Sequence, residues 1–178
     1  LSDASRYDLS CACGTGTDDR RHRASGDAWL YPVSLPSGGR SVMLKTLMSN
    51  ACENDCKYCP FRIGVDSPRV RIGPDEMARL FLRYQKKHAL IGLFLSSGVC
   101  GSPDQSMAEM IDTAQLLRRR YRYCGFIHLK VLPGASMPAI EAAARVANSL
   151  SINIEAPTRS RFSNLSSRTR YDDILLPV

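Results

Sequence analysis

Four times in succession this chain follows an apolar run of strand length with a stretch of helical periodicity, and that alternation leaves few folds open. Ser41–Ser49 is apolar nearly throughout, as a strand covered on both faces is. Gly73-Pro74-Asp75-Glu76 opens a helix, with proline in the first turn and two acids at the positive end of the dipole. Met77, Leu80, Phe81, Tyr84 and His88 recur on one face of it. Ala89–Ser96 is the second strand, ended by Ser97-Gly98. Ser102-Pro103-Asp104 opens a second helix, packed through Met107, Met110, Ile111, Ala114 and Leu117 and ending in Arg118-Arg119-Arg120. Gly125–Leu132 is the third strand, and Ser136 caps a third helix whose packed face is Ile140, Ala143, Ala144 and Ala147. Leu150–Glu155 is the fourth strand, and Pro157–Ser167 begins a further helical or irregular stretch. This order predicts an α/β domain of parallel strands joined by right-handed crossovers. Its functional groups belong at the C-terminal ends of the strands.

The domain occupies residues 41–178, and 1–40 read as an irregular N-terminal arm rich in Gly, Ser, Asp and Arg, anchored by Trp29 and Tyr31. A chain of 178 residues, 44% apolar and 23% charged, is globular rather than disordered and large enough for one core. No apolar run approaches the roughly 20 residues a membrane helix needs, and Leu1-Ser2-Asp3 does not begin a signal peptide. The missing initiator Met suggests a mature fragment or a piece of a longer chain. An odd cysteine count of seven argues against a disulfide framework and for metal-binding thiols in a reducing cytoplasm.

Directly after the first strand stands Cys52-Glu53-Asn54-Asp55-Cys56-Lys57-Tyr58-Cys59, a Cys-x3-Cys-x2-Cys loop. Three thiolates on one short loop can converge on a single metal centre. They fill neither a tetrahedral ion nor a four-iron cube, which usually takes four cysteines. Zinc would need a fourth ligand from Cys100, Cys124, His88 or His128, and no second Cys-x2-Cys or His pair accompanies the loop. Cys11 and Cys13 read as ordinary free thiols rather than ligands. Gly14-Thr15-Gly16 lacks the preceding strand and third glycine of a phosphate loop.

Alternation along the later strands sorts their side chains. His128 and Lys130 share one face of the third strand, and Asn153 and Glu155 share one face of the fourth. Helices outside the sheet would take Ile127, Leu129, Ile152 and Ile154, leaving the four polar residues to the lumen. There they either line a cofactor site or pair His128 and Lys130 with Glu155 to satisfy buried charge.

The cysteine spacing, with aromatic Tyr58 before the third cysteine and a βα series around it, resembles the radical S-adenosylmethionine (radical SAM) enzymes. The resemblance implies a partial (β/α) barrel and a [4Fe–4S] cluster held by Cys52, Cys56 and Cys59. The open iron would be chelated by SAM, which the reduced cluster cleaves to a 5′-deoxyadenosyl radical. It also implies SAM contacts from Ser96-Ser97-Gly98, where the family's usual Gly-Gly-Glu is replaced, from Asn153 or Glu155 at the ribose, and from Tyr58 near the adenine. Lys130 belongs to the same SAM-binding set. Cys100 is a candidate hydrogen donor, although a small buried thiol is its plainer reading. An external electron donor such as flavodoxin or ferredoxin is implied as well.

A narrower likeness joins Leu44–Cys52, Gly92–Gly98, Ile127–Lys130 and Pro133–Ser136, with Tyr7–Cys11, to a bacterial subgroup described as DNA modification or repair radical SAM proteins. That subgroup is paired with a uracil-DNA-glycosylase-like protein, so DNA and such a protein become expected partners. A net charge of +7 gives the means to bind phosphates, and Arg159 and Arg161, just past the fourth strand, are the best placed. Arg118 to Arg120 should lie on the opposite rim and contribute nothing, and Arg20-Arg21-His22-Arg23 is a further basic run. From another class comes a non-catalytic nucleic-acid-binding module stabilised by zinc or an Fe–S cluster. Radical SAM domains generally have six βα units against four here. The chain is therefore expected to be truncated at its C-terminus, or else residues 156–178 and the arm cover the edge of the fourth strand.

Overall fold

The computed structural model describes residues 30–35 and 37–175. Five strands form one open sheet in the order of the sequence: β1 (Leu30–Ser34), β2 (Arg40–Leu47), β3 (Gly92–Ser96), β4 (Phe126–Lys130) and β5 (Ser149–Ser151). β2 through β5 are parallel, in the register Leu44↔Leu93↔Ile127 and Lys130↔Ser151. Each parallel step is crossed by a helix: α1 (Pro74–His88), α2 (Pro103–Gln115) and α3 (Met137–Ala144). α2 continues as a π-helical turn over Leu116–Arg120, and α4 (Arg159–Ser163) and α5 (Asp172–Leu175) are short. The expected α/β architecture is therefore present as a partial barrel with an open sheet.

The irregular arm expected up to residue 40 does not extend to Leu30–Ser34, which pair antiparallel with β2 from Leu30↔Leu44 to Ser34↔Arg40. Pro32 is tolerated because β1 is an edge strand, where a missing N–H leaves no ladder gap. Gly38 and Gly39, at φ 86° and 85°, supply the left-handed turn that brings the chain back. Trp29, Cys11, Cys13, Gly14-Thr15-Gly16 and the Arg20–Arg23 run lie outside the described residues. β1 sits beside β2 and so covers the edge opposite to β5. The fourth strand is also shorter than expected: Asn153, Ile154 and Glu155 have left the ladder, and Ile154 is 50% exposed rather than sheathed by a helix.

The core lies between the sheet and the helices. Leu44, Leu93, Leu95, Ile127 and Leu129 present one sheet face, and Met77, Phe81, Met107, Met110, Ala114 and Leu117 meet them from α1, α2 and the π turn, all of them fully buried. On α3 only Ala143 is fully buried, with Ile140 and Ala147 packed at its side, while Ala144 faces solvent. A small second cluster of Ala156, Phe162 and Ile174 anchors the chain after β5.

Arg118 is committed to structure. Its guanidinium donates to the carbonyls of Tyr123, Gly125 and Val146 and to Asn148 Oδ1, closing the end of the π turn onto the start of β4. Arg120 pairs with Asp75 on α1. This agrees with the expectation that these arginines have no role at the site.

Candidate active site

β2 delivers the cysteine loop to the C-terminal edge of the sheet. Leu47 is its last residue, Met48 is fully buried, and the Met48 N–H still donates to Ser96 carbonyl oxygen at 2.8 Å. Beyond it the chain folds into an irregular excursion from Ser49 to Arg71, pinned where it leaves and where it returns. Ser49 bridges Arg71, and Ile72 donates to Met48. Asn50 matches the returning backbone with both ends of its amide, donating to Pro68 at 2.9 Å and accepting from the Val70 N–H at 2.6 Å. Arg69 spans the loop: its guanidinium donates to the carbonyls of Asn50, Phe61, Arg62 and Val65 at 2.7–3.0 Å. An irregular loop has no ladder to satisfy its carbonyls, and one fork-shaped cation does so here.

On its inner side the loop packs against the end of β3. Glu53 N–H donates to Val99 carbonyl, Gly98 N–H to Ser49 carbonyl, and Gly101 N–H to the Glu53 carboxylate, each at 2.8 Å. Gly98 is required for this approach, since a Cβ there would stand 2.3 Å from Ala51 O and 3.0 Å from Cys52 Cβ.

The three cysteines are half-buried and line one cavity of about 440 Å³, within the range of small-molecule sites. The Cys52 sulfur accepts the Val99 N–H and the Cys59 sulfur the Phe61 N–H, each at 3.4 Å. Loss of water, then the neighbouring Cys52 and Cys59, then Glu155, push the Cys56 thiol up to about 11. Burial likewise raises Cys59. The raised Cys56 and Cys59 thiols, with N–H donors already aimed at the Cys52 and Cys59 sulfurs, fit a cationic iron–sulfur centre, which would supply the missing positive charge. Among the described residues no three His, Cys, Asp or Glu side chains are grouped as ligands of a single ion.

The cavity also collects every residue that the sequence assigned to SAM: Tyr58, Ser96, Ser97, Gly98, Lys130, Asn153 and Glu155 all line it. Glu155 holds a left-handed backbone at φ 56°, a conformation that costs a non-glycine residue about 1 kcal/mol. Loss of water and a hydrogen bond to the Glu155 carboxylate keep the Tyr58 phenol well above its ordinary range, which joins the loop to the end of β5. The alternative pairing of His128 with Glu155 gives way to a His128 Nε2–Ser151 Oγ contact at 2.7 Å and a ring contact with Phe94 at 4.4 Å. Burial, then Lys130 and Lys45, lower the His128 pKa. Lys45, 1% exposed, lies 4.9 Å from the Phe94 ring centre and was not anticipated. It sits inside an apolar run, where sequence offers no sign that its stem is buried.

Cys100 is not among the residues lining the cavity, and its backbone N–H donates to Ser106 Oγ on α2 at 2.9 Å. The Arg159 guanidinium makes an exposed bidentate pair with Asp172 at 2.6 and 2.7 Å. Arg161 is exposed.

The chain resembles two solved structures in fold. One is HydG, a maturase of the [FeFe]-hydrogenase, matched with a TM-score of 0.62 at 14% identity over 75% of this chain and 30% of that one. The other is methylornithine synthase (PylB), matched with a TM-score of 0.62 at 16% identity over 77% of this chain and 40% of that one. The likeness is one of fold, and the chain spans less than half the length of either. No protein-family profile matches the chain, and no curated protein matches it in sequence.

Proposed function

We propose that this chain is an iron–sulfur enzyme that binds a [4Fe–4S] cluster through Cys52, Cys56 and Cys59 and reductively cleaves SAM. The observation that carries this reading is the meeting around one cavity, at the C-terminal ends of parallel strands, of the three thiols and the seven residues that the family resemblance implies for SAM. Bound there, the cluster supplies the electron that breaks a sulfonium carbon–sulfur bond and so furnishes a hydrogen-abstracting 5′-deoxyadenosyl radical. The protein's part is to bind, orient and exclude water. Ser96, Ser97 and the backbone at Gly98 offer hydroxyls and carbonyls to the SAM amino group. Lys130 would bring a cation to its carboxylate, and Asn153 or Glu155 would contact its ribose. Val131, Leu132, Pro133 and Phe61 give the cavity apolar walls that keep water from the reacting atoms. Reduction requires an external one-electron donor of the flavodoxin or ferredoxin class.

Anaerobic reconstitution with iron and sulfide is expected to give a brown protein with visible charge-transfer absorption, and dithionite plus SAM to release 5′-deoxyadenosine. One tightly bound zinc and no SAM turnover would replace this reading with a metal-stabilised nucleic-acid-binding module.

The substrate we propose is DNA, in the setting of modification or repair. Support comes from the net charge of +7, from the exposed Arg161 on the helix that follows Asn153 and Glu155, and from the sequence likeness given above. A base inside a duplex cannot reach a recessed radical, so the substrate is single-stranded or flipped. Binding of labelled single-stranded DNA should weaken steeply with salt and fall several-fold in Arg161→Ala, while Arg119→Ala leaves it unchanged. Absence of binding at low salt would remove DNA from consideration. A uracil-DNA-glycosylase-like partner belongs to the same proposal.

A further inference from the structure

Between Cys52 and Cys56 lies Asp55, a residue that no cofactor reading uses. Its carboxylate is the acceptor for the segment that follows α4. Ser166 Oγ and Ser167 Oγ donate to its two oxygens at 2.5 Å each, and the Ser167 and Arg168 N–H groups donate at 3.0 and 3.1 Å. Two further bonds run alongside: Lys57 N–H to Leu165 carbonyl at 2.9 Å, and the Arg168 guanidinium to Glu53 carbonyl at 3.3 Å. Ser166 is itself buried, 4% exposed, and accepts the Thr169 N–H at 3.1 Å, so its hydroxyl is oriented before it meets Asp55.

From these contacts we infer that Asp55 is a positioning residue: it clamps Leu165–Arg168 onto the cysteine loop and so fixes the spacing of Cys52, Cys56 and Cys59. The loop then has two supports. Val99 and Gly101 hold Glu53, and Ser166 to Arg168 hold Asp55. Both supports bear on the stretch between Cys52 and Cys56, and a loop without regular structure keeps its sulfurs in register only when it is tied down. Charge-assisted bonds to a carboxylate are the strong class of hydrogen bond, and four on one group exceed what any other side chain of the loop except Arg69 makes. The geometry also joins the cavity's two walls. Asn153 and Glu155 lie upstream of α4, so the chain that lines the cavity returns after α4 to close on the cysteine loop at Asp55 and Lys57.

The clamp itself is observed independently of any cluster, while its consequence for metal retention rests on the reading proposed above. The experiment therefore has two arms. In the apo-protein, Asp55→Ala should speed exchange of the Lys57 amide hydrogen by at least about tenfold, because the segment that accepts it is released. In the reconstituted protein the same variant should lose its visible absorption to a chelator at least about tenfold faster than the unaltered protein. Asp55→Asn, which keeps acceptors for most of these donors but not the charge, should recover most of that retention. The double variant Ser166→Ala/Ser167→Ala removes the two hydroxyl donors and leaves the acid and the two backbone N–H donors, so it should lose iron faster than the unaltered protein; it also serves if Asp55→Ala does not fold. Equal retention in Asp55→Ala and the unaltered protein would overturn the inference. So would a double variant that keeps its iron as the unaltered protein does, since the donors would then not matter. If the unaltered protein takes up no cluster, the cofactor reading fails, and the amide exchange still decides the clamp: an unchanged Lys57 rate refutes it.

Discussion

Changing any one of Cys52, Cys56 and Cys59 to Ser is expected to leave a folded protein that holds little iron and releases no 5′-deoxyadenosine above background. The fold should survive because each side chain is only half-buried, Cys52 at the edge of the main core and Cys56 and Cys59 on the excursion beyond it. A thiol-to-hydroxyl change in such a place costs about 1 kcal/mol or less. Cluster binding should not survive, because three protein thiolates are already one fewer than a four-iron cube usually takes. The remaining two cannot hold three irons, and a hydroxyl is too weak an acid to replace a thiolate at neutral pH. Cys124→Ser supplies the control, since Cys124 is exposed and its sulfur meets only the Arg122 carbonyl. Iron per protein, the visible spectrum and deoxyadenosine release measure the outcome. Undiminished iron and turnover in Cys56→Ser would show that the loop does not carry the cluster.

Gly98→Ala should damage both stability and the site. The added methyl would lie 2.3 Å from Ala51 O and 3.0 Å from Cys52 Cβ, and a backbone carbonyl cannot swing aside as a side-chain tip can. That carbonyl belongs to the residue before the first cysteine, so relief of the clash must push the loop away from β3. The move strains the Gly98 N–H bond to Ser49 and the Val99 N–H contact with the Cys52 sulfur. Overpacking of this kind costs about 3 kcal/mol where the neighbour is rigid. For a domain of this size that lowers the melting temperature by roughly 6–12 °C. Iron content should fall as well, because Cys52 moves relative to its partners. Thermal unfolding of the apo-protein and iron analysis after reconstitution check the two effects separately. An alanine variant with an unchanged melting temperature and full iron would mean that the loop and β3 do not approach as closely as described.

Much of the site was legible because its groups come from short-range patterns. A Cys-x3-Cys-x2-Cys loop after an apolar run is visible in the letters, and so is the polar face of a strand whose alternate residues are isoleucines. Parallel strands then bring their C-terminal ends together, which carried Ser96–Gly98, Lys130 and Asn153 to the cysteines. The misses have physical causes of their own. Glu155 was assigned to a strand, but the ladder with β4 ends at Ser151 and the chain turns through a left-handed residue that no strand propensity reveals. Leu30–Ser34 became a strand because the long β2 offered a free edge, a property of the partner rather than of the segment. Cys100 is close to Gly98 in sequence, but its backbone N–H is engaged by Ser106 and it is not among the residues lining the cavity.

What the sequence determined by itself is the run of four parallel strands, the three helices between them and the place of the cysteine loop after the first of these strands, since each follows from period, capping residues or spacing within about ten positions. Only the tertiary structure decided how that loop is held. Arg69 reaches across the excursion to four carbonyls, Gly98 admits Ala51, and Asp55 meets serines that are 111 and 112 residues away. It likewise decided that Arg159 pairs with Asp172. An irregular loop carries no repeat from which its supports can be read. Its hydrogen-bond partners are whichever groups the folded chain brings within about 3 Å, and that becomes known only when distant segments have met.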